Sequence, residues 1–238
     1  MHKTGRIIGC FIAFLFLLPA CGRYANDPPI HSLDTPAFHK VSAGETLYSI
    51  SWQYGYDYKR VANWNGIDSP YTIYPGQRIR LTAGAAPAGP REPQGTARVS
   101  KVRPPKSAQS PSASSTTLQW GWPTEGAVVK TFHENARGKK GIEIAGRSGQ
   151  PVKAAAPGRI VYSGNGLKGY GNLVIIKHDE HYLSAYAYNS RLLVGENDAV
   201  QRGQEIAKMG LGADGAALHF EIRHTGRSVD PLRFLPKQ

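Results

Sequence analysis

ALHFEI (217–222) reads as a β-strand, and together with GKKGIEIA (138–145) and SAYAYN (184–189) it decides the fold of the C-terminal half. In an extended chain, residues two or four apart share a face. Lys139 therefore sides with Glu143 and Ala217 with His219, and strands lying side by side can aim such groups, with Tyr188, at one point. A catalytic zinc needs about three protein ligands from His, Cys, Asp or Glu and an open position for water. Among these residues only His219 and Glu143 qualify. Lys139 offers donors alone and a positive charge where a divalent cation would sit. Ala217 has no proton to move, and the Tyr188 phenol does not titrate near neutrality. His224 falls on the opposite face from His219, and His133, His178 and His181 lie in other segments.

Outward from these strands, the runs PVKAA, GRIVYSG, NLVIIKH, QEIAKMG and LHFEIRH recur between Gly and Pro turns. Their spacing predicts an antiparallel β-sandwich or curled sheet with few helices over residues 118–238. The three opening stretches resemble, in order, the signature of the LytM (lysostaphin-like) zinc endopeptidases of bacterial cell walls. That signature is His-x-Gly-x-Asp, a segment ending Tyr-x-His, and His-x-His. Lys139, Glu143, Tyr188 and Ala217 depart from it and His219 keeps it. YGNLVIIKH, VQRGQEIAKMG and DPLRFLP retain the family's other landmarks. The resemblance thus implies a peptidase scaffold whose site has lost its metal, with no cofactor expected.

At the other end, Lys3 and Arg6 precede an apolar run (7–20) too short to span a membrane as a helix. LPACG (18–22) matches the bacterial lipobox, which predicts a signal peptide over 1–20 and lipidation of Cys21. Cys10 would leave with the leader, so no disulfide is expected. With Gly22 rather than Asp after the lipidated Cys, the sorting rule for such lipoproteins implies the periplasmic face of an outer membrane. The 29 basic residues less Lys3 and Arg6 leave 27 against 17 acidic, a charge near +10. Such a surface suits acidic wall polymer, phospholipid or an acidic protein face, and export argues against nucleic acid.

Composition divides the exported chain into two modules. Residues 21–37 read as a lipidated stalk. Residues 82–117 are rich in Ala, Pro, Ser and basic residues and nearly free of large apolar ones, which predicts a disordered linker. Residues 38–81 predict β-α-α-β: a strand at 38–42, a helix over 46–55 capped by Thr46 and stopped by Gly55, a second helix ending at Asn65-Gly66, and a strand at 77–81. GETLYSIS, NWNGI and IYPGQRIRL resemble the LysM domain, a binder of peptidoglycan and chitin sugars. The fold class expected is therefore α+β and multi-domain. The LysM resemblance places a shallow sugar groove at Gly44, Glu45, Thr46, Leu47, Ile73, Tyr74 and Pro75. Leu47, Ile50 and Trp64 also read as core residues, whereas Tyr74, on a turn, reads as a ligand contact.

In its full order of lipobox, LysM module, basic linker and degenerate LytM domain, the chain resembles the NlpD-like family of envelope lipoproteins. That resemblance implies activation of a periplasmic N-acetylmuramoyl-L-alanine amidase during separation of daughter cells, with the emptied groove as docking site. Lys139, Lys140, Glu143, Tyr188, Asn189, Ala217 and His219 are the expected groove residues, with Tyr170 and Arg223 at its rim and Lys139 paired to Glu143. Other readings stand beside these: Lys140 as a solvated charge, Tyr170 and Asn172 as formers of the Gly169–Gly171 turn, and His219 as a core histidine. Two other functions stay open, a zinc endopeptidase with unorthodox ligands and a structural tether between outer membrane and wall.

Overall fold

A computed structural model describes residues 35–83, 118–133 and 140–237. The signal peptide, Cys21, most of the stalk, nearly all of the linker and Lys139 lie outside the described residues.

The N-terminal module has the expected order. Strand β1 (Phe38–Lys40) pairs antiparallel with β2 (Arg78–Arg80), and helices α1 (Leu47–Tyr54) and α2 (Tyr58–Asn65) lie between them in sequence. Thr46 starts α1 with a reciprocal box: its hydroxyl accepts from the Ser49 amide while the Ser49 hydroxyl accepts from the Thr46 amide. Asp57 caps α2 in the simpler way, by accepting the amides of Lys59 and Arg60. Gly55 and Gly66 end the two helices in the left-handed region, where a side chain would be strained. Val41, Leu47, Ile50, Val61, Ile79 and Leu81 form the core of this module.

The C-terminal module is a curled antiparallel sheet. Its strands are β3 (Val128–Lys130), β4 (Ile142–Ala145), β5 (Pro151–Lys153), β6 (Gly158–Gly164), β7 (Asn172–Lys177), β8 (Tyr182–Leu192), β9 (Ala199–Val200), β10 (Glu205–Met209), β11 (Leu211–Gly212), β12 (Gly215–His224) and β13 (Arg227–Val229). The main path runs β3-β4-β12-β8-β7-β6-β9; β10 links β8 to β5, and β11 and β13 pair with β12.

Alternation along the central strands sorts side chains to two faces. Ile142, Ile144, Val174, Ile176, Tyr186, Phe220 and Ile222 point to one side and pack against Val152, Ile206 and Met209 of the β5–β10 layer. Leu173, Ile175, Leu183, Ala185 and Ala187 point to the other side. That second face is covered by Trp52 and Tyr58 of the N-terminal module. The two modules are therefore in direct contact, which composition could not show.

Candidate functional site

Register brings Glu143, Ala217 and His219 onto this second face. Strand β12 lies between β4 and β8, with His219 directly opposite both Glu143 and Ala187. Ala217, His219, Glu221 and Arg223, each two residues apart, line the same side. Yet only two potential metal donors, Glu143 and His219, meet there among the described residues. Glu143 Oε2 is paired with Lys130 Nζ at 3.0 Å, and Lys130 also holds Asp214 at 2.8 Å. His219 donates from Nε2 to Glu221 Oε1 at 2.9 Å. Its Nδ1 is 4.0 Å from Glu143 Oε1 and has no hydrogen-bond partner among the described residues. The Tyr188 ring lies 5.6 Å from the His219 ring, centroid to centroid, and Ala217 supplies no donor. Among the described residues no three His, Cys, Asp or Glu side chains are grouped to hold a metal ion. One imidazole and one carboxylate, the latter bonded to the Lys130 ammonium, fall short of the three ligands needed by the zinc that the peptidase scaffold implies.

What occupies the face instead is a buried ionic network. Glu221 is 0 % exposed. Its Oε1 accepts from His219 and, at 3.0 Å, from the Tyr170 hydroxyl, and its Oε2 faces Arg223 Nη2 at 3.3 Å. Burial pushes the Glu221 carboxyl up, but the Arg223 guanidinium, His219 and Tyr170 outweigh it and hold the group below its usual range. Burial, and then the Glu221 charge, raise the Tyr170 hydroxyl. The network continues into the LysM-like module: the Trp52 indole donates to the Tyr170 hydroxyl at 3.3 Å, and Arg223 Nη1 donates to the Trp52 carbonyl at 2.7 Å.

The other expected groove residues divide by environment. Tyr170 (8 % exposed) and Arg223 (7 %) lie beneath Trp52, deeper than the rim position expected of them. Asn189 donates to the carbonyls of Asn172 and Tyr186 while Asn172 donates back to the Asn189 carbonyl, an exchange that ties β7 to β8. Tyr188 has a φ of 66°, a region costly for a bulky residue. Its main chain is nevertheless satisfied, accepting from Gly210 and donating to Tyr170. Lys140 is half-buried. Glu143 pairs with Lys130; Lys139, expected beside it, lies outside the described residues.

At the sugar loops, Glu45 is bonded by the Ser42 amide at 2.7 Å and by His39 Nε2 at 2.8 Å, so its carboxylate closes the loop. Leu47 is core. Gly44 takes φ 78° at the turn, and Pro75 is exposed. Ile73 packs at the edge of the module's core, whereas Tyr74 is 68 % exposed.

Trp52, Lys130 and Glu221 were not singled out by the sequence reading. Glu221 carried a usable signal, because it sits two residues from both His219 and Arg223 and so had to share their face.

Comparison with known proteins agrees with both modules. Residues 39–82 match the LysM domain and residues 137–231 match Peptidase family M23. Lipoprotein NlpD/LppB homolog of Pseudomonas aeruginosa is 43 % identical over 228 residues, covering 83 % of this chain and 76 % of that protein. Murein hydrolase activator NlpD of Salmonella dublin is 37 % identical, covering 91 % and 72 %. The protein named uncharacterized lipoprotein YgeR, from Escherichia coli (strain K12), is 40 % identical and covers 100 % and 96 %. With identity of this level spread over so much of both chains, this protein is a member of the NlpD/LppB family, carrying a LysM domain ahead of a peptidase family M23 domain.

Proposed function

We propose that this chain is a non-catalytic envelope lipoprotein that holds peptidoglycan through its LysM domain and activates an N-acetylmuramoyl-L-alanine amidase through its M23 domain. The observation that carries the reading is the state of the former metal position. His219 and Glu143 are the two candidate donors there among the described residues, one short of a catalytic zinc site, and Glu143 is already held by Lys130. The name of the Salmonella relative, murein hydrolase activator, supports the same reading. A scaffold kept whole around such a site retains its shape, and shape is what a docking partner uses.

The accessible end of the groove has anchors suited to docking. Tyr188 lies against the β11–β12 hairpin, where a Cβ added at Gly212 would meet its ring at 3.2 Å. Leu211 on the same hairpin is 70 % exposed. An aromatic beside an exposed aliphatic residue, on a hairpin whose Asp214 pairs with Lys130 and so connects to Glu143, is a small amphipathic hot spot. To turn a closed amidase from mostly off to mostly on, the groove must prefer the open form by about 5 kcal/mol. Anchoring by lipid at Cys21 on the periplasmic face of the outer membrane would raise the effective concentration of a single weak LysM module at the wall.

Wall digestion separates the readings. Purified mature protein should release no fragments alone or with an inactivated amidase, and should release them with an active one. Stoichiometric zinc in the purified protein, together with chelator-sensitive cleavage by the protein alone, would establish a peptidase instead. Equal retention on purified wall after loss of residues 38–81 would remove the LysM domain from the proposal.

A further inference from the structure

The M23 face that carries the buried network already has an occupant, and it is the chain's own LysM domain. Trp52 lies outside the LysM core: with Tyr58 it joins a buried cluster otherwise made of M23 residues, among them Tyr170, Ile175 and Ala185. Arg223 binds it twice, with the guanidinium 3.7 Å from the ring centroid and Nη1 on the main-chain carbonyl. On one side of this anchor the Thr46 hydroxyl donates to the Val161 carbonyl at 3.1 Å, and on another Lys59 pairs with Glu180 at 2.5 Å. At Gly226 the two main chains approach so closely that a Cβ there would run into the main chain of Tyr56 and Asp57.

We propose that the LysM domain is a removable cover over the M23 docking face, and that the chain activates its partner only when this cover has swung off; the inference rests on the activator reading above.

Three features mark the contact as one built to open. First, the M23 side of the anchor sets ionic and polar groups beside its apolar ones: Glu221, Arg223, His219 and Tyr170 can be rehydrated on opening, which offsets part of the cost of exposing Ile175 and Ala185. Second, the peripheral ion pair is largely in solvent, with side chains 35 % and 60 % exposed, and exposed pairs hold weakly. Third, residues 84–117 join the two domains, and a stretch of that length can span at most about 120 Å, far more than separation needs. Mixed contacts of this kind between domains of one chain are where relative motion is expected. While Trp52 lies on Tyr170 and Arg223, that half of the face cannot receive a segment of another protein.

The test uses the full chain in detergent with an amidase that a relative's activator is known to switch on. Trp52→Ala removes the anchor without touching the LysM core, and Lys59→Cys with Glu180→Cys, bridged by a reducible bismaleimide, holds the cover shut. Scattering profiles report whether the domains part, and retention on purified wall reports that the LysM domain is folded. The expected result is expansion and about fivefold higher activation for Trp52→Ala. The bridged chain should show a comparable loss, restored on reduction. Bridged protein that activates as well as reduced protein, or a Trp52→Ala chain that expands without gaining activity, overturns the cover while leaving the activator reading intact. A Trp52→Ala chain that stays compact and bound to wall also overturns it. Failure of every form to activate the validated amidase would instead defeat the activator reading, and the cover's role with it.

Discussion

Arg223 stacks its guanidinium on the Trp52 ring, 3.7 Å from the centroid, and donates to the Trp52 carbonyl at 2.7 Å, so one side chain from β12 holds both the ring and the main chain of α1. The same guanidinium faces Glu221 at 3.3 Å. Arg223 therefore neutralises a buried carboxylate in one domain while it grips the other.

Arg223→Ala should be among the most destabilising single changes in the chain. It strands Glu221 without its cation, and breaking a buried pair on one side costs about 3–5 kcal/mol. Arg223→Lys should recover only part of this, because an ammonium cannot serve the carbonyl, the carboxylate and the ring at once. Chemical unfolding of the full chain reads both changes; an Arg223→Ala protein within about 1 kcal/mol of the parent would contradict the network.

Glu221 makes the acid limb of stability predictable in sign. Its folded carboxyl titrates below the usual range, the partners having outweighed burial, while the unfolded carboxyl takes a proton near the ordinary value of about 4.3. The unfolded state thus binds the proton first on acidification. The contribution is complete above the ordinary carboxyl pKa and is lost as pH falls through the depressed one. Glu221→Gln should be less stable than the parent at pH 7 and should show a shallower loss between pH 4 and 3. Parallel acid limbs for the two proteins would rule the network out as the source.

His178 should act in a different window. Burial pushes its imidazole down to about 4, against the opposing pull of the Pro157 carbonyl and the Asp179 charge. Nδ1 lies 2.8 Å from that carbonyl, which can only accept, so Nδ1 carries the proton and Nε2 accepts from the Ser184 hydroxyl at 2.7 Å. The unfolded imidazole protonates near 6.5 and the folded one only near 4. Stability should therefore fall between those values, by about 3 kcal/mol at the low end. His178→Asn should start lower at pH 7.5 and stay level down to pH 5. A parent protein with the same urea midpoint at both pH values would refute the assignment.

Local chemistry made much of this fold readable in advance. Thr46, Gly55 and Gly66 punctuate the LysM helices through hydrogen bonds and backbone freedom that need only near neighbours, so sequence exposes them. The strands around His219 were legible because alternation alone assigns residues to a face. The pairing of Glu143 was not. Lys130 comes from the adjacent strand β3, and only the β3–β4 register sets it opposite Glu143, whereas Lys139 lies outside the described residues. The burial of Tyr170 and Arg223 was illegible for a larger reason. Each reads as a surface residue of its own domain, and it is the docking of α1, a contact between positions 171 residues apart in the case of Arg223 and Trp52, that removes them from water.

Thr46 allows the intermodule contact to be weighed. Its hydroxyl accepts from the Ser49 amide at 3.1 Å and donates to the Val161 carbonyl at 3.1 Å, so one group both starts α1 and touches the M23 domain. Thr46→Val keeps the shape and loses both bonds: about 1 kcal/mol for the cap, and about another 0.5–1.5 kcal/mol for the bond to Val161. Thr46→Ser should be close to neutral. In a Trp52→Ala background, where the domains are expected to part, the cap remains and the Val161 bond does not, so Thr46→Val should cost less there than in the parent. The difference between the two costs is the coupling between cap and cover. Identical costs in both backgrounds would show that the Thr46–Val161 bond contributes nothing to holding the domains together.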